Sequence, residues 1–316
     1  MNSKFALLEG DALLFVTAMI WGFAFVAQRV GMESLGPFTF NGVRYLIGAF
    51  SLVPLFVFRR AKQGPKAPSV LPTLGTSGFS RNFGPPLLAG GAMFFGSSLQ
   101  QVGLVSTTAG NAAFITSLYV VLVPFLAALF GKQVHRIDWA ASLVAVAGLW
   151  LITMQHGFSI AAGDAFVLAC AFFWALHIIV IGRFASTYDP IALAIGQFTV
   201  SGVLSLAVAL PFERITIEGL RSAVIPLLYG GVASSGIAFT LQIFGQRKAK
   251  ASHASIIMSL EGLFGAVGGI VMLGEPTTVR ILVGGGLMIL ATMLPQIADA
   301  TGKVLRLGNS RRRDDA

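Results

Sequence analysis

The 316-residue sequence has little charge and almost no cysteine. Asp, Glu, Lys and Arg make up 11% of the residues, whereas soluble domains carry roughly 25%. Cys170 is the only cysteine, which excludes an internal disulfide and a cysteine-based zinc site. The four histidines lack close metal-ligand spacing, and no HExxH, Walker-A or strand-linked GxGxxG motif is present. We therefore predict neither a cofactor nor a metal ion.

Long apolar runs dominate the sequence instead. A membrane span needs about 20 mostly apolar residues, and in hydrocarbon only helices and closed barrels satisfy the backbone. The runs do not alternate as the strands of a barrel do. The sequence therefore predicts an all-α integral membrane protein with ten transmembrane helices. The predicted spans are 11–31, 38–58, 84–104, 109–131, 138–154, 163–183, 190–211, 223–245, 251–273 and 279–297.

The basic residues are distributed unequally between the two predicted sides. Of the 22 Lys and Arg residues, 17 lie in the termini and the loops after spans 2, 4, 6 and 8, and four lie on the other side. By the positive-inside rule, both termini are predicted to be cytoplasmic, in a multi-pass protein of the cell's inner (plasma) membrane. The net charge of +9 then reflects topology and contact with anionic membrane lipids. No nucleic-acid partner is expected, because charge runs are usually solvated faces.

The chain contains an internal repeat. Gly10-Asp11-Ala12 returns as Gly163-Asp164-Ala165, and the same shift of 153 residues relates Trp21 to Trp174. Each copy holds five predicted spans, an odd number, so the second copy must enter the membrane from the opposite face. The sequence thus predicts two inverted five-helix repeats around a central cavity, at 1–155 and 156–300, and a basic cytoplasmic tail at 301–316. A shift of 142 residues relates Leu99-Gln100 to Leu241-Gln242, Asn111 to His253, and Tyr119 to Glu261.

Several stretches resemble one transporter family. Met258-Ser-Leu-Glu261-Gly-Leu-Phe, continuing to Leu273-Gly274-Glu275-Pro276-Thr277, resembles the end of the fourth helix in the EamA branch of the drug/metabolite transporter superfamily. Ser117-Leu-Tyr119-Val-Val-Leu-Val-Pro124 resembles the matching helix of a first copy, and Pro37 followed by Arg44 resembles the family's second span. The resemblance covers nearly the whole chain as two EamA-like five-span units. It implies ten helices around a cavity and a permease for metabolites such as amino acids.

Glu261 is the only one of 13 acidic residues that lies deep in a predicted span. A charged carboxylate at that depth costs at least about 2.5 kcal/mol on insertion scales. It is either a partner for a substrate amine or a proton-coupling site, or else a structural carboxyl group bonded to a neighbouring helix. His253 and Glu261 share a helical stripe at i and i+8, so His253 is either a coupling residue or a residue of the cytoplasmic interface.

Polar and aromatic residues elsewhere in the spans are further candidates. Trp21 and Trp174 fall in mid-span, although membrane tryptophans favour the interfaces, so each either lines a polar cavity or bonds to another helix. Arg44 either binds a substrate carboxylate, pairs with Glu261, snorkels or locks helices together. The predicted substrate-binding residues are Trp21, Gln100, Asn111, Tyr119, Trp174, His177, Gln242 and Glu261. The predicted coupling or gating residues are Glu261, His253 and Arg44.

Together these patterns predict a secondary transporter, not an enzyme. It would act as a permease or exporter that moves small organic metabolites, amino acids among them, across the inner membrane by alternating access, with a proton as the candidate coupling ion. A small-molecule substrate and membrane lipids are the expected partners, and the protein would be a monomer or a weak homodimer. The alternative is an integral membrane enzyme or a scaffold without transport activity. The spans hold no placed nucleophile–base pair, and the loops are too short to present a binding domain.

Overall fold

The chain folds as a bundle of helices. The computed structural model describes residues 3–63, 76–107, 109–153, 162–273 and 278–314, and within these ranges it contains no β-strand. The helices are α1 (Ser3–Gly31), α2 (Pro37–Gln63), α3 (Thr76–Leu104), α4 (Ala109–Ser117), α5 (Tyr119–Leu129), α6 (Arg136–Thr153), α7 (Ala162–Phe184), α8 (Pro190–Phe212), α9 (Ile217–Ser222), α10 (Val224–Leu228), a π-helical segment (Tyr229–Phe239), α11 (Thr240–Gln246), α12 (Ala251–Met258), α13 (Glu261–Leu273) and α14 (Val279–Asp314).

Seven helical stretches among the described residues are long and apolar enough to cross a membrane. They are Leu7–Gly31, Pro37–Lys62, Ala112–Leu129, Ala162–Phe184, Pro190–Phe212, Val224–Gln246 and Ala251–Met272, and Val279–Pro295 is a shorter apolar helix. α3 and α6 cover the predicted spans 84–104 and 138–154 but are not among the seven. α3 carries polar residues near its end, and α6 is 18 residues long with Arg136 and Asp138 in its first turn. The all-helical membrane architecture is confirmed, and the number ten stays a prediction.

Two pairs of helices lie antiparallel. Gly42 of α2 packs against Leu206 of α8, and Leu46 packs against Gly202, so the two helices run in opposite directions. Where α8 ends, the Glu213 carboxylate accepts hydrogen bonds from the first backbone N–H groups of α2, at 2.8 Å from Phe38 and 2.7 Å from Thr39. A carboxylate is favourable at a helix N-terminus, where these N–H groups lack partners within the helix. In α6 and α14, Gly148 and Gly284 are in similarly close contact.

Two of the predicted continuous spans are broken. Span 109–131 is interrupted at Leu118, so that α5 begins at Tyr119, and span 251–273 is interrupted at Ser259 and Leu260, so that α13 begins at Glu261. At both breaks the backbone tightens to i−3 hydrogen bonds, from Leu118 N–H to Ile115 O (3.2 Å) and from Leu260 N–H to Ile257 O (3.1 Å). The single stripe predicted for His253 and Glu261 is therefore wrong, because the break places them on separate helices.

The predicted span 223–245 also departs from a regular α-helix. Its central residues, Tyr229–Phe239, form a π-helical segment between α10 and α11. The Ser235 hydroxyl donates to Gly230 O at 2.7 Å, one residue further back than an α-helical turn would place it. Such wider turns are rare among helices in general, and those that occur are frequently found at functional sites. Here the segment faces α1, where Tyr229 OH donates to Ile20 O at 2.9 Å.

Polar contacts gather at two ends of the bundle. At the first end, where α1 begins, His253 Nε2 lies 3.0 Å from Asp11 Oδ1 and Lys248 Nζ lies 2.6 Å from Glu9 Oε2. At the second end, where α1 finishes, Arg29 Nη1 donates to Thr107 O at 3.1 Å, and the Thr107 hydroxyl donates to Asp164. The candidate site lies between these two ends.

Candidate functional site

A cavity lies in the middle of the bundle. Its walls come from α1, α2, α3, α4, α5, α7, the π-helical segment, α11 and α13, so no single repeat builds it. The lining residues are Trp21, Ala24, Phe25, Gln28, Arg44, Tyr45, Gln100, Thr116, Tyr119, Trp174, His177, Ile178, Ser234, Phe239, Gln242 and Glu261.

Most of the predicted site residues meet in this cavity. Seven of the eight predicted substrate-binding residues line it, together with Arg44. The eighth, Asn111, has a side chain that lies outside the described residues. His253 does not line the cavity and instead contacts Asp11 at the first end of the bundle. Placement does not assign function, so the roles of these residues stay predictions.

Repeat-related residues line the same cavity. Trp21 and Trp174, Gln100 and Gln242, and Tyr119 and Glu261 are the three pairs that the internal shifts relate, and all six residues line the same space. Residues far apart in sequence thus converge because α1 and α7, α3 and α11, and α5 and α13 each bring the same position of their repeat to the centre.

The Glu261 carboxyl group is buried, and 5% of the residue's surface is exposed. Glu261 is the first residue of α13, and Tyr119 is the first residue of α5. The Tyr119 hydroxyl group lies close enough to the Glu261 carboxyl group to interact with it. Among the described residues, neither the Tyr119 hydroxyl nor Glu261 Oε1 has a hydrogen-bond partner of standard geometry. No cation of the described residues lies within ion-pair distance of Glu261. The carboxyl group therefore has unused hydrogen-bonding capacity that points to a ligand or a proton.

Arg44 supplies the positive group of the cavity. The residue is 3% exposed, and its guanidinium carbon lies 4.7 Å from the centroid of the Tyr45 ring. Nη2 donates to the Tyr45 hydroxyl at 3.1 Å, while Nε has no hydrogen-bond partner among the described residues. Across the described part of the chain no carboxylate lies within ion-pair distance, so Arg44 neither snorkels to the surface nor pairs with Glu261.

Three aromatic rings form an apolar wall. The Phe239 ring lies 4.5 Å from the Trp21 ring and 5.8 Å from the Trp174 ring, between centroids. Trp21 Nε1 donates to Ser234 O of the π-helical segment at 3.2 Å. Trp174 Nε1 is buried and has no hydrogen-bond partner in the described ranges of the chain. Equivalent indoles are thus bonded differently, one within the protein and one available to a ligand.

The cavity holds an unusual concentration of unsatisfied polar atoms. A buried polar atom without a partner costs about 1–3 kcal/mol, and each one in a folded protein requires an explanation such as a ligand or bound water. The arrangement suits an organic molecule that carries hydrogen-bonding groups at one end and an apolar group at the other. The unpartnered atoms that line the cavity are Gln28 Oε1, Arg44 Nε, Tyr119 Oη, Trp174 Nε1, His177 Nδ1, Gln242 Oε1 and Glu261 Oε1.

Sequence reasoning missed several lining residues. Gln28 lies two turns after Trp21 on the same helix, so its helical spacing was a usable signal. Tyr45 adjoins Arg44 and carries no separate pattern. Ser234 and Phe239 enter the cavity through the π-helical segment, which the sequence did not predict. Among the described residues no group of His, Cys, Asp and Glu side chains could hold a metal ion.

Comparison with known proteins identifies relatives over nearly the whole chain. The EamA-like transporter family matches residues 8–154 and, a second time, residues 161–295. An uncharacterized transporter of Archaeoglobus fulgidus is 32% identical over 288 residues, which cover 91% of this chain and 85% of that protein. The uncharacterized inner membrane transporter YedA of Escherichia coli is 25% identical over 235 residues, 73% of this chain and 72% of that protein.

A solved crystal structure shares the fold. It aligns with a TM-score of 0.76 over 94% of this chain and 98% of that chain, at 18% sequence identity. At this identity the likeness concerns the fold alone.

Proposed function

Since this chain belongs to the EamA-like transporter family, we propose that it is a secondary transporter for small organic metabolites, working by alternating access across the inner membrane. Relatives that cover most of the chain are named transporters, which supports a membrane transporter and disfavours an enzyme or scaffold. The observation that carries the proposal is a central cavity lined by both repeats, which lies between equivalent helix contacts at the two ends of the bundle.

The contacts that close the two ends are related by the internal repeat. At the first end Gly10 approaches Gly245, and Gly245 packs against Leu14. At the second end Gly163 approaches Gly103, and Gly103 packs against Val167. The shift of 153 residues relates Gly10 to Gly163 and Leu14 to Val167, and the shift of 142 residues relates Gly103 to Gly245.

Equivalent closures at opposite ends support the inverted repeat. If the two repeats exchange conformations, one closure opens while the other stays shut, which is how inverted-repeat transporters expose one site to either side. The antiparallel packing of α2 on α8 and of α6 on α14 agrees with repeats of opposite direction. On the predicted topology the first end is cytoplasmic, together with both termini.

The charges of the cavity favour a zwitterion as substrate. Arg44 and Glu261 are both buried, and neither has a partner of opposite charge in the described part of the chain. A ligand with one carboxylate and one ammonium group would neutralise both at once, whereas a singly charged ligand would leave one of them uncompensated in a low dielectric. The Trp21, Trp174 and Phe239 rings would hold its apolar part. Amino acids fit this description.

Glu261 is also the candidate proton-coupling group. A carboxyl group at this depth avoids the cost of a bare charge by taking a proton or by pairing with a substrate ammonium. Competition between the two would couple proton movement to substrate movement in opposite directions. Because no nucleotide-binding motif is present in the sequence, an ion gradient is the energy source available for uphill transport.

Reconstitution in liposomes tests the proposal. We expect the purified protein to catalyse counterflow of radiolabelled phenylalanine or another amino acid, in a panel that also contains nucleobases and sugars. A carrier shows counterflow, whereas an enzyme or a scaffold does not. Absence of counterflow for every compound would contradict the proposal.

Glu261→Gln tests the coupling role. Counterflow in wild-type liposomes should depend on pH, and in the variant this dependence should flatten because the carboxyl group is gone. Glu218→Gln, on the exposed helix α9, is the matched control and should behave as wild type. If Glu261→Gln retains both the transport rate and its pH dependence, Glu261 has no coupling role.

A further inference from the structure

A stripe of polar side chains runs along α8 away from the cavity. Gln197, Ser201 and Ser205 occupy successive turns of one helix face, and all three are fully buried at 0% exposure. The stripe begins at the cavity wall, because His177, which lines the cavity, has its Nε2 atom 2.9 Å from Gln197 Oε1. It ends towards Glu213, at the second end of the bundle.

Apart from Gln197 Oε1, the side-chain polar atoms of this stripe lack hydrogen-bond partners within the described part of the chain. Gln197 Nε2, Ser201 Oγ and Ser205 Oγ are all unsatisfied. Serine and threonine hydroxyls in helices usually donate to the carbonyl four residues earlier, as Thr199 Oγ1 on the same helix does to Ile195 O at 2.8 Å. The stripe residues do not, so their hydroxyl groups are available to something else.

The facing helix adds a fourth unsatisfied group. Asn41 of α2 is fully buried at 0% exposure, and neither its amide oxygen nor its amide nitrogen has a partner in the part of the chain that the structure describes. Its neighbour Gly42 packs against Leu206, so Asn41 lies at the level of Ser205. One turn further into the bundle, the Tyr45 and Phe198 rings stack with centroids 6.1 Å apart.

The spacing of the stripe suits water. Side chains one helical turn apart have Cβ atoms roughly 5–6 Å from each other, too far for a direct hydrogen bond between hydroxyl groups. Two hydrogen bonds of about 2.8 Å each, made by one intervening water molecule, span that distance. A buried water molecule typically makes about three hydrogen bonds to polar groups. The stripe residues and Asn41 together supply polar groups for such hydrogen bonds.

We propose that Asn41, Gln197, Ser201 and Ser205 bind a file of water molecules that links the central cavity to the second end of the bundle. The file gives protons a route to the cavity while the contacts at both ends still enclose the substrate. His177 joins the file to the cavity, since its ring can accept a proton on one nitrogen and release one from the other. Each water molecule of the file accepts one proton and passes another on, so one O–H bond forms as another breaks, the His177 ring exchanges one N–H bond for another, and no proton is consumed.

The proton route rests on the proposed transport function, whereas the water file does not. The titratable and charged groups along the route are Glu213 at its outer end, Tyr45 beside it and His177 at its inner end. The cavity into which the route leads is also lined by Glu261 of α13, Tyr119 of α5 and Arg44 of α2.

Hydroxyl-radical footprinting of the purified protein tests the water file directly. Radicals formed from bound water label adjacent side chains, so Phe198 and Tyr45 should be labelled despite 0% exposure. The reference is Met288, 1% exposed in the contact between α6 and α14, with every rate normalised to that of the unfolded chain. The double variant Ser201→Val with Ser205→Val should lower Phe198 labelling at least fivefold. Labelling of Phe198 no greater than that of Met288 in the wild type would overturn the proposal.

Transport separates the proton route from the carrier itself. In liposomes, Ser201→Ala with Ser205→Ala, which removes the hydroxyl groups without adding bulk, should keep counterflow of the amino acid that the panel identifies. Accumulation of that amino acid driven by a pH gradient should fall at least fivefold, while the control Thr199→Ala should leave both unchanged. Unchanged pH-driven accumulation would overturn the proton route. If wild-type protein shows no counterflow at all, the transport proposal fails, and footprinting alone decides the water file.

Discussion

Trp21 and Trp174 occupy repeat-related positions in one cavity, yet their indole groups have different partners. Trp21 donates to Ser234 O, so Trp21→Phe should lower the free energy of unfolding by about 1 kcal/mol, the usual net value of such a bond. Trp174 Nε1 has no partner among the residues that the structure describes, so Trp174→Phe should change stability little and weaken substrate binding. Thermal unfolding in detergent and the KM of counterflow distinguish the two effects. A larger loss of stability in Trp174→Phe than in Trp21→Phe would contradict this assignment.

Arg44 and Glu261 carry the charges that favour a zwitterion as substrate. For each of the two residues we predict which group of the substrate it recognises. In wild-type liposomes, phenylalanine should compete for counterflow better than either phenethylamine or phenylpropionate, which lack the carboxylate and the amine respectively. Arg44→Gln should remove the advantage of phenylalanine over phenethylamine, and Glu261→Gln should remove its advantage over phenylpropionate. Inhibition constants from competition measure both, with Glu218→Gln as the unaffected control. Equal losses for all three compounds in Arg44→Gln would indicate a structural role for that residue.

At the scale of the helical element, the breaks before Tyr119 and Glu261 and the π-helical turn are the features that shape the site. Serine lies beside each break, and glycine and serine fill the π-helical segment. These residues have modest helix propensity, but propensity is a weak prior that tertiary context overrides. The sequence therefore predicted the spans without their interruptions. Once the helices are broken, His253 reaches Asp11 while Glu261 enters the cavity.

The close approach of α3 and α7 depends on glycine. A Cβ atom on Gly163 would lie 2.2 Å from Gly103 O, a backbone atom that cannot move aside cheaply. Gly163→Ala should lower the free energy of unfolding by about 1–3 kcal/mol, as overpacking does. Gly91→Ala, where nothing lies within 4 Å, is the matched control and should be neutral or stabilising by up to about 1 kcal/mol. Thermal unfolding of both variants measures the difference. Equal stabilities would show that the two helices separate easily at this end.

At the scale of the whole molecule, the two ends should open one at a time, and a change at one end should favour the opening of that end. Thr116→Cys in a Cys170→Ala background places a thiol in the cavity wall. Asp11→Asn weakens the contact with His253 at the first end, and Asp164→Asn weakens the contact with Thr107 at the second end. Added to this background, Asp11→Asn should speed labelling by a membrane-impermeant thiol reagent applied from the cytoplasmic side, and Asp164→Asn should speed it from the external side. Labelling rates in oriented vesicles measure both, and faster labelling from the reversed sides would contradict the predicted topology.

The sequence by itself determined the membrane class, the family and many of the residues that line the cavity. A segment that crosses lipid must be an apolar helix, because lipid offers the backbone no hydrogen-bond partners. A repeat places equivalent side chains at equivalent depths, so pairs such as Tyr119 and Glu261 could be predicted from the sequence. Only the tertiary structure decided which groups are satisfied and where the helices break. Within the described residues, the Trp21 indole donates to a carbonyl group, whereas the Trp174 indole has no partner. No carboxylate of these residues lies within ion-pair distance of Arg44, and Phe239 lies in the π-helical segment. Such outcomes depend on distances between helices, and these are set by packing across the whole bundle rather than by the pattern of any one segment.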